Sequence, residues 1–338
     1  AAVQTANAFH TVDHWKMYKG SGAYTSEHHA MSLSELNTTG HGEAVKLQVT
    51  TADASVDAGD YAQVSQFIEG QSLQHLQYGT SNAKTLTLSF WVKSNKTGIY
   101  CVALGKSDTT SYMTRNEFTI SAANAWEKKT ITITPTAGST TLITNSGGVI
   151  DNDIGEGMHL SFILMMGTNY QGANDTWTTG SNYATSSQVN WMDSTSNNFY
   201  LTGVQLELGS GASPFEYRTF QDALLACQRY YFVLASHRNY IAGRTSNTDA
   251  MYCAPSCPVR MRSTPSVGNL GSFAIDCIHT EGGATSLNNQ PTMDTYPTDG
   301  MGVGNTVGNM QLHGGSGLTD GRVCCARING GLTFNADF

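Results

Sequence analysis

The sequence carries few charged side chains. Asp, Glu, Lys and Arg make up 13% of its 338 residues, against about 25% in ordinary globular domains. Positive charge is the scarcer kind, since 18 Lys and Arg stand against 26 Asp and Glu and the net charge is −8. Nucleic acids and anionic membrane surfaces are bound mainly through Lys and Arg. The composition therefore argues against both partners, and its many short polar side chains suit sugars or closely packed neighbouring chains.

Long apolar runs and a closed cysteine framework are also missing. No stretch reaches the about 18 apolar residues that a membrane-spanning helix needs, so no membrane insertion is expected. The cysteines number seven, which is odd, and most of them lie in the last third of the chain. Disulfide frameworks are normally even in number and dense in small domains. We expect buried thiols, including Cys253 and Cys257, whose oxidation state the sequence leaves open.

The chain is rich in the alternation of apolar and polar residues that is typical of β-strands. One segment, Met158–Met166, is instead apolar except at His159 and Ser161, which indicates a strand that is covered on both faces. Short strands separated by turn-rich segments favour a sandwich or barrel, and eight strands suit a jelly roll. The predicted strands lie at 44–50, 61–68, 86–94, 99–104, 118–120, 126–134, 158–166 and 199–208.

The pattern changes at Thr219. Thr219 and Asp222 resemble a capping box, and helical spacing follows, so one short helix is predicted at 223–231. Glycine-rich β segments continue beyond it. The predicted fold is all-β: a jelly-roll β-sandwich, a short helix and a second, Gly-rich β-sandwich-like domain. We divide the chain into an N-terminal arm or first strand with loops (1–42), a jelly-roll domain resembling a carbohydrate-binding module (43–218), and a linker helix with a C-terminal β domain (219–338).

The strongest candidate for a binding site is a loop rich in aromatic and polar residues. Tyr170, Trp177 and Tyr183 lie there among Asn, Gly, Ser and Thr, with Asn174 and Asp175 between them. Flat aromatic rings can stack on the apolar face of a sugar, while amides and carboxylates bond its hydroxyls. The sequence therefore predicts that these five residues form an exposed glycan-binding surface. The alternative is that one or two of the aromatic rings simply cap the sandwich.

A second candidate is the acidic segment that contains Asp151, Asp153 and Glu156. A solvated acidic turn is the favoured interpretation. The spacing also suits oxygen ligands of a structural calcium ion, which is the weaker candidate, and a carboxylate pair for glycan hydrolysis is weaker still. No nucleophile elbow and no phosphate-binding or dinucleotide-binding motif is present. We therefore predict a protein that is not an enzyme and has no catalytic residues and no cofactor, with structural calcium left open.

Several segments together resemble phage structural proteins. Phe199–Gly209, Pro214–Arg218 and Leu224–Tyr231 resemble a junction that is widespread in phage tail-fibre and other virion proteins. Leu88–Lys93 is similar to the jelly-roll module of that family, which is akin to carbohydrate-binding modules. Pro258–Pro265 resembles the start of the family's C-terminal β domain.

This resemblance implies a tail fibre or adhesin of a bacteriophage that attaches to a glycan on the host surface. It also implies a homo-oligomer, most often a trimer, which is made in the host cytoplasm and contacts other tail or baseplate proteins in the virion. Related modules occur in head-decorating proteins, so a head-fibre or capsid decoration protein without a ligand stays open. A glycan-degrading tailspike is a third interpretation, and the lack of a short repeat counts against it.

Overall fold

A computed structural model describes residues 3–7, 15–234, 239–245, 250–253, 256–269, 273–277, 285–287, 292–293, 310–313, 323–328 and 332–338. The chain separates into two compact units. The first comprises Ala1–Tyr217 and the single residue Phe338, and the second comprises Arg218–Asp337.

The first unit is a sandwich of two six-stranded antiparallel sheets. Sheet I has the strand order β1-β3-β4-β12-β6-β9, and sheet II has the order β11-β8-β7-β10-β5-β2. One helix and several single 3-10 turns, at 70–72, 74–76, 137–139, 146–148, 168–170 and 191–193, complete the unit. The elements are β1 (Val3–Gln4), β2 (Trp15–Lys19), β3 (Ala23–Ala30), α1 (Leu33–Thr39), β4 (Glu43–Thr51), β5 (Tyr61–Glu69), β6 (Leu86–Ser94), β7 (Gly98–Lys106), β8 (Tyr112–Ile120), β9 (Glu127–Ile133), β10 (Glu156–Met166), β11 (Thr178–Thr179) and β12 (Asn198–Leu208).

The all-β jelly-roll prediction is confirmed. Each of the eight predicted strands is present, as β4 to β10 and β12. The prediction for residues 1–42 is wrong, because this segment is not an arm with at most one strand. It supplies β2 to sheet II, β1 and β3 to sheet I, and the helix α1. The helix begins at a complete capping box, in which Ser32 and Glu35 exchange side-chain and backbone hydrogen bonds, and it ends at Gly40 with a left-handed φ of 79°.

The core lies between the two sheets, because every second residue of their strands is apolar and points inward. Phe90 of sheet I packs edge-to-face on Phe118 and Phe162 of sheet II, with ring centroids 5.1 and 5.0 Å apart. Trp191 is fully buried, and its indole Nε1 donates to the Asn198 carbonyl at 3.1 Å. These rings bury a large apolar area, and burial of such area is the dominant stabilising term in folding.

In its described residues, the second unit also contains two antiparallel sheets and one helix. The helix begins at Thr219, whose hydroxyl accepts from the Asp222 N–H as predicted, and covers 220–228, so it starts and ends three residues before the predicted range. The sheets have the orders β13-β22-β16 and β18-β17-β21-β14-β15-β20-β19. The elements are α2 (Phe220–Gln228), β13 (Tyr231–Leu234), β14 (Asn239–Thr245), β15 (Ala250–Cys253), β16 (Ser266–Asn269), β17 (Phe273–Cys277), β18 (Thr285–Leu287), β19 (Thr292–Met293), β20 (Met310–His313), β21 (Val323–Ile328) and β22 (Leu332–Asn335).

Two further findings concern the thiols of the second unit and the length of the helices. Cys253 and Cys257 are both buried, and burial raises the pKa of the Cys257 thiol to about 11. Within the residues that the structure describes, no helix combines the length and apolar character needed to cross a membrane.

Candidate functional site: a groove on the outer face of sheet II

The candidate site lies on the face of sheet II that points away from the core. Strand β5 shows why. Ala62 and Val64 face the core, so the alternation of the strand turns Tyr61, Gln63, Ser65 and Phe67 to the outside. Together with neighbouring strands and a loop, these residues form a groove of about 460 Å³, which we call the sheet II groove. Its lining residues are Tyr18, Tyr61, Gln63, Ser65, Phe67, Glu156, His159, Met166, Tyr170, Ser181 and Tyr183.

One wall of the groove is the loop between β10 and β12. This loop folds back over the outer face of β7, β8 and β10 and buries a small second apolar cluster, which explains why the end of β10, Phe162–Met166, is continuously apolar. Tyr61, Tyr170 and Tyr183 pack against this cluster and border the groove. The cluster consists of Cys101, Ala103, Met113, Ile163, Met166 and Ala184.

The loop is held on the sheet by Arg115 of β8, whose side chain is fully buried. Its Nη2 donates to the carbonyl oxygens of Met113 and Thr176, at 3.0 and 2.9 Å, and to the Thr178 hydroxyl at 2.6 Å. Its Nε and Nη1 find no hydrogen-bond partner in the described part of the chain. A buried guanidinium that binds only neutral oxygens is energetically costly, so its presence here indicates that fixing the loop has a role.

Aromatic rings form both sides of the groove. Tyr61 and Tyr170 meet edge-to-face, with centroids 6.1 Å apart, and Tyr18 and Phe67 lie 6.5 Å apart. His159 lies between these sides, 6.0 Å from Phe67 and 6.1 Å from Tyr183 between ring centroids. Five aromatic rings and an imidazole thus line one concave surface.

Polar groups cover the floor between the rings. The Ser65 hydroxyl lies 2.7 Å from the Ser161 hydroxyl of β10, and Gln63 Nε2 donates to Ser65 Oγ at 3.3 Å. The Gln63 amide and the Ser65 hydroxyl therefore line the floor in positions fixed by hydrogen bonds, with Ser161 buried beneath them, which is the pattern of an oriented polar site within an apolar pocket.

A carboxylate–imidazole pair closes one end of the groove. Glu156 Oε1 lies 2.7 Å from His159 Nδ1, and Ser107 Oγ donates to the same oxygen. Burial alone would raise the pKa of Glu156, but hydrogen bonds from His159 and Ser107 and the charges of His159 and Lys16 outweigh it and hold this pKa below 4.5. Because an ionised carboxylate only accepts, His159 Nδ1 is the donor. Its Nε2 lies against Gly105, where a Cβ would stand 2.3 Å away.

The phenols of Tyr18 and Tyr183 stay protonated at neutral pH. Burial, followed by the charge of Glu156, raises the pKa of Tyr18 to about 12. Burial, followed by Tyr18 and Glu156, also raises the pKa of Tyr183. Protonated phenols both donate and accept hydrogen bonds. The groove therefore combines ring faces with uncharged donors and acceptors and one carboxylate, an arrangement that can hold the apolar faces and hydroxyl edges of sugar rings.

Of the five predicted site residues, two line the groove and three do not. Tyr170 and Tyr183 line the groove. Trp177 does not, because its ring enters the core with 1% exposure, its Nε1 donates to the Thr134 carbonyl at 2.8 Å, and the Tyr78 ring lies 6.3 Å away. The prediction that Trp177 forms the exposed ligand surface is therefore wrong.

Asn174 and Asp175 are also absent from the groove lining. The Asn174 Oδ1 accepts from the Glu117 N–H at 2.9 Å, and Asp175 Oδ1 accepts from Asn116 Nδ2 at 3.1 Å. Their side-chain oxygens thus bind the loop to β8 instead of facing a ligand, and the prediction for these two residues is corrected in the same way.

The side chains of the acidic segment point to different partners. Asp153 Oδ1 accepts from the Gly155 N–H within its own turn, whereas Glu156 points to His159 and Ser107. Among the described residues, no group of three or more His, Cys, Asp or Glu side chains is placed to hold a metal ion. The weak calcium candidate formed by Asp151, Asp153 and Glu156 is therefore not supported, and Glu156 belongs instead to the groove.

Sequence reasoning missed most of the groove. Tyr18, Tyr61, Phe67 and His159 lie on strands, and a strand's alternation shows that two faces exist without showing that the polar face is concave. The one available signal was the 61–68 segment, where aromatic residues occupy both ends of the polar face.

Among known proteins, the matches to this chain are solved structures. No protein-family model and no curated protein matches the sequence. A family 11 carbohydrate-binding module from Clostridium thermocellum, solved with a β-1,3-1,4-mixed-linked tetrasaccharide, aligns at 13% identity over 62% of this chain and 96% of its own, with a TM-score of 0.29. TmCBM61, in complex with β-1,4-galactotriose, aligns at 12% identity over 58% of this chain and 88% of its own, with a TM-score of 0.26.

The enzymatically active domain of a tailspike protein from bacteriophage CBA120 also aligns, at 11% identity and a TM-score of 0.30. The match covers 58% of this chain and 19% of the tailspike chain. The TM-scores are low, so the description of the fold depends on the strand pairing given above. The chain is thus an all-β jelly-roll protein with distant similarity to carbohydrate-binding modules and to a phage tailspike domain.

Proposed function

We propose that this chain is a tail fibre or adhesin of a phage virion and that its jelly roll binds a host-surface glycan in the sheet II groove. The observation that carries the proposal is the groove itself. It places five aromatic rings around a hydroxyl and amide floor on the outer face of a sheet. A sugar has apolar ring faces and a polar rim, and both sides of that chemistry are matched here.

Pre-organisation supports the proposal. Tyr170 and Tyr183 belong to a loop that is packed on its own apolar cluster and joined by backbone bonds, including the Tyr183 N–H to the Tyr170 carbonyl at 2.8 Å. A binding surface that is ordered before the ligand arrives loses little conformational entropy on binding. Weakly binding sugars benefit most from such an arrangement.

The assignment to a virion depends on the sequence. The junction at Phe199–Arg218 and Leu224–Tyr231 resembles phage structural proteins, and the weakly charged surface suits chains that pack against one another. We propose a binding role without catalysis. A head-fibre or decoration role without ligand is the outcome to expect if no glycan binds.

We also propose that the protein is a homotrimer. None of the residues of α2 is buried, and Phe220 is 81% exposed at its start. Leu224 and Leu225 of the same helix are half-buried. Apolar side chains that a single chain leaves exposed are typically covered by a partner. Light scattering on the purified protein should give three times the chain mass, and a monomer at micromolar concentration would contradict this.

Adsorption to host cells tests the binding role. Purified protein should bind saturably, and periodate oxidation of the surface glycans should abolish binding. Replacing Tyr170 and Tyr183 together with Ala should weaken binding by roughly 10²- to 10³-fold, since central aromatic residues of an interface that act as hot spots contribute about 2 kcal/mol each. Tyr200→Ala, on the outer face of sheet I, is the matched control and should bind like the wild type.

Three results would contradict the proposed site or role. Binding that survives periodate would exclude a glycan as the receptor. Equal loss in the groove variant and in Tyr200→Ala would place the site outside the sheet II groove. A folded oligomer that binds neither treated nor untreated cells would favour a decoration protein.

A further inference from the structure

We infer that Glu156 makes the sheet II groove selective for uncharged glycans and excludes acidic ones, such as uronate-containing, sulfated or phosphorylated chains. This inference rests on the proposed function, because it concerns the ligand of the same groove. It goes further by naming the class of sugar and the residue that selects it.

Glu156 has one oxygen available for a ligand. Both of the hydrogen bonds to this side chain, from His159 Nδ1 and from Ser107, are made to Oε1. Oε2 accepts no hydrogen bond from the residues that the structure describes. The side chain is 29% exposed and lines the groove. A carboxylate oxygen in this position lacks a donor, and a sugar hydroxyl supplies one.

The two bonds to Oε1 also fix the carboxylate in place. His159 is itself held between the rings of Phe67 and Tyr183, and only a residue without a Cβ fits beneath it at Gly105. The carboxylate therefore cannot leave the groove without breaking its hydrogen bonds to His159 and Ser107. A charge that is fixed beside the ligand acts on every ligand that enters.

The charge of Glu156 acts on the phenols of the groove. After burial, the charge of Glu156 is the next cause of the raised pKa of Tyr18, and it also contributes to the raised pKa of Tyr183. The groups that oppose this charge are His159 and Lys16, and the Lys16 Nζ lies 5.0 Å from the Tyr18 ring centroid and 5.7 Å from that of Phe67. Lys16 lowers the pKa of Glu156, but it is not among the lining residues and does not reverse the upward shift at either phenol.

The consequences for a ligand follow from its charge. A neutral sugar donates a hydroxyl to Oε2 and forms a charge-assisted hydrogen bond, which is stronger than a neutral one. A ligand carboxylate, sulfate or phosphate meets a like charge in a partly dehydrated groove, and such contacts are strongly unfavourable. Selectivity thus arises from repulsion of the wrong ligand as much as from attraction of the right one.

A glycan array that holds neutral and acidic chains on the same backbones tests the inference. The probes are wild-type protein, Glu156→Gln, and Glu216→Gln as a control with the same change of net charge at an exposed position outside the groove. We expect wild type and the control to bind neutral chains and to reject their acidic counterparts. Glu156→Gln should improve the ratio of acidic to neutral binding by about tenfold or more.

A measurement on the wild type alone keeps the inference testable if Glu156→Gln folds poorly. Exclusion by charge should weaken as salt rises, so binding to acidic chains should increase between 0.05 and about 0.5 M NaCl while binding to neutral chains stays constant. Wild-type protein that prefers acidic chains, or a Glu156→Gln ratio equal to that of the wild type, would overturn the selectivity and leave the glycan-binding role intact. No binding to any glycan would overturn the proposed function as well.

Discussion

Replacing Trp177 tests whether this residue supports the core or binds ligand, because the loop that carries it also carries two tyrosines of the groove. The change Trp177→Ala removes a ring with 1% exposure. A buried Trp withdraws about 200 Å² from water, which at about 25 cal/mol per Å² amounts to about 5 kcal/mol. The hydrogen bond from Nε1 to the Thr134 carbonyl is lost as well. Since Ala keeps part of the buried area, we expect a loss of about 3–5 kcal/mol of unfolding free energy.

Calorimetry of the full chain measures this loss. For a domain of about 150–250 residues, each kcal/mol shifts the melting temperature by about 2–4 °C, so the transition of the sandwich should fall by about 6–20 °C. Trp177→Phe is the control, because it keeps most of the ring and should recover more than half of the loss. The folded fraction of Trp177→Ala should still bind glycan. An unchanged melting temperature with abolished binding would refute the assignment of Trp177 to the core.

Two further changes test parts of the sandwich. Glu35 accepts hydrogen bonds from Ser32, Lys93 and a nearby indole, and these outweigh burial and lower its pKa. Glu35→Gln should cost about 1–2 kcal/mol at pH 7. Because the folded-state pKa of Glu35 is lowered, the ionised carboxylate stabilises the fold above the unfolded-state pKa of 4.5. In denaturant melts, the cost of Glu35→Gln should therefore shrink as the pH falls below 4.5, and a cost that stays constant would contradict the contact. Lys is shorter than Arg, so Arg115→Lys places its ammonium short of the Nη2 position that reaches three oxygens, and it should lose about 1–3 kcal/mol of unfolding free energy. Proteolysis near Thr176 should become faster, and an unchanged cleavage rate would show that Arg115 does not hold the loop.

The strands of the sandwich could be predicted because their positions depend on local alternation. Segments 86–94 and 61–68 carry the period of two that a half-buried strand requires, and the structure places β6 and β5 there. The first 42 residues lack this alternation, since histidines and other polar residues interrupt β3. The short helix α1 was missed although Ser32 and Glu35 form a capping box that is visible in the sequence.

The candidate site was predictable only in part, for a physical reason. Tyr170, Trp177 and Tyr183 look alike in the sequence, and all three lie among polar residues. Which ring points inward depends on the path of the loop around the edge of β8, where β11 pairs, and that path is set by contacts such as Arg115. The opposite wall, with Tyr18, comes from a strand more than 100 residues away, so only the pairing of β2 with β5 brings it near.

The position of β12 determines how the sandwich bears tension. The chain leaves the sandwich from this strand, which lies in the middle of sheet I between β4 and β6. A pull on Gly209 runs along the strand, at right angles to its ladder hydrogen bonds with β6 along most of its length and with β4 at Asn198–Leu201, so these bonds are loaded together in shear. An edge strand could be peeled off one bond at a time. A particle tethered through this exit would therefore be held by hydrogen bonds that share the load.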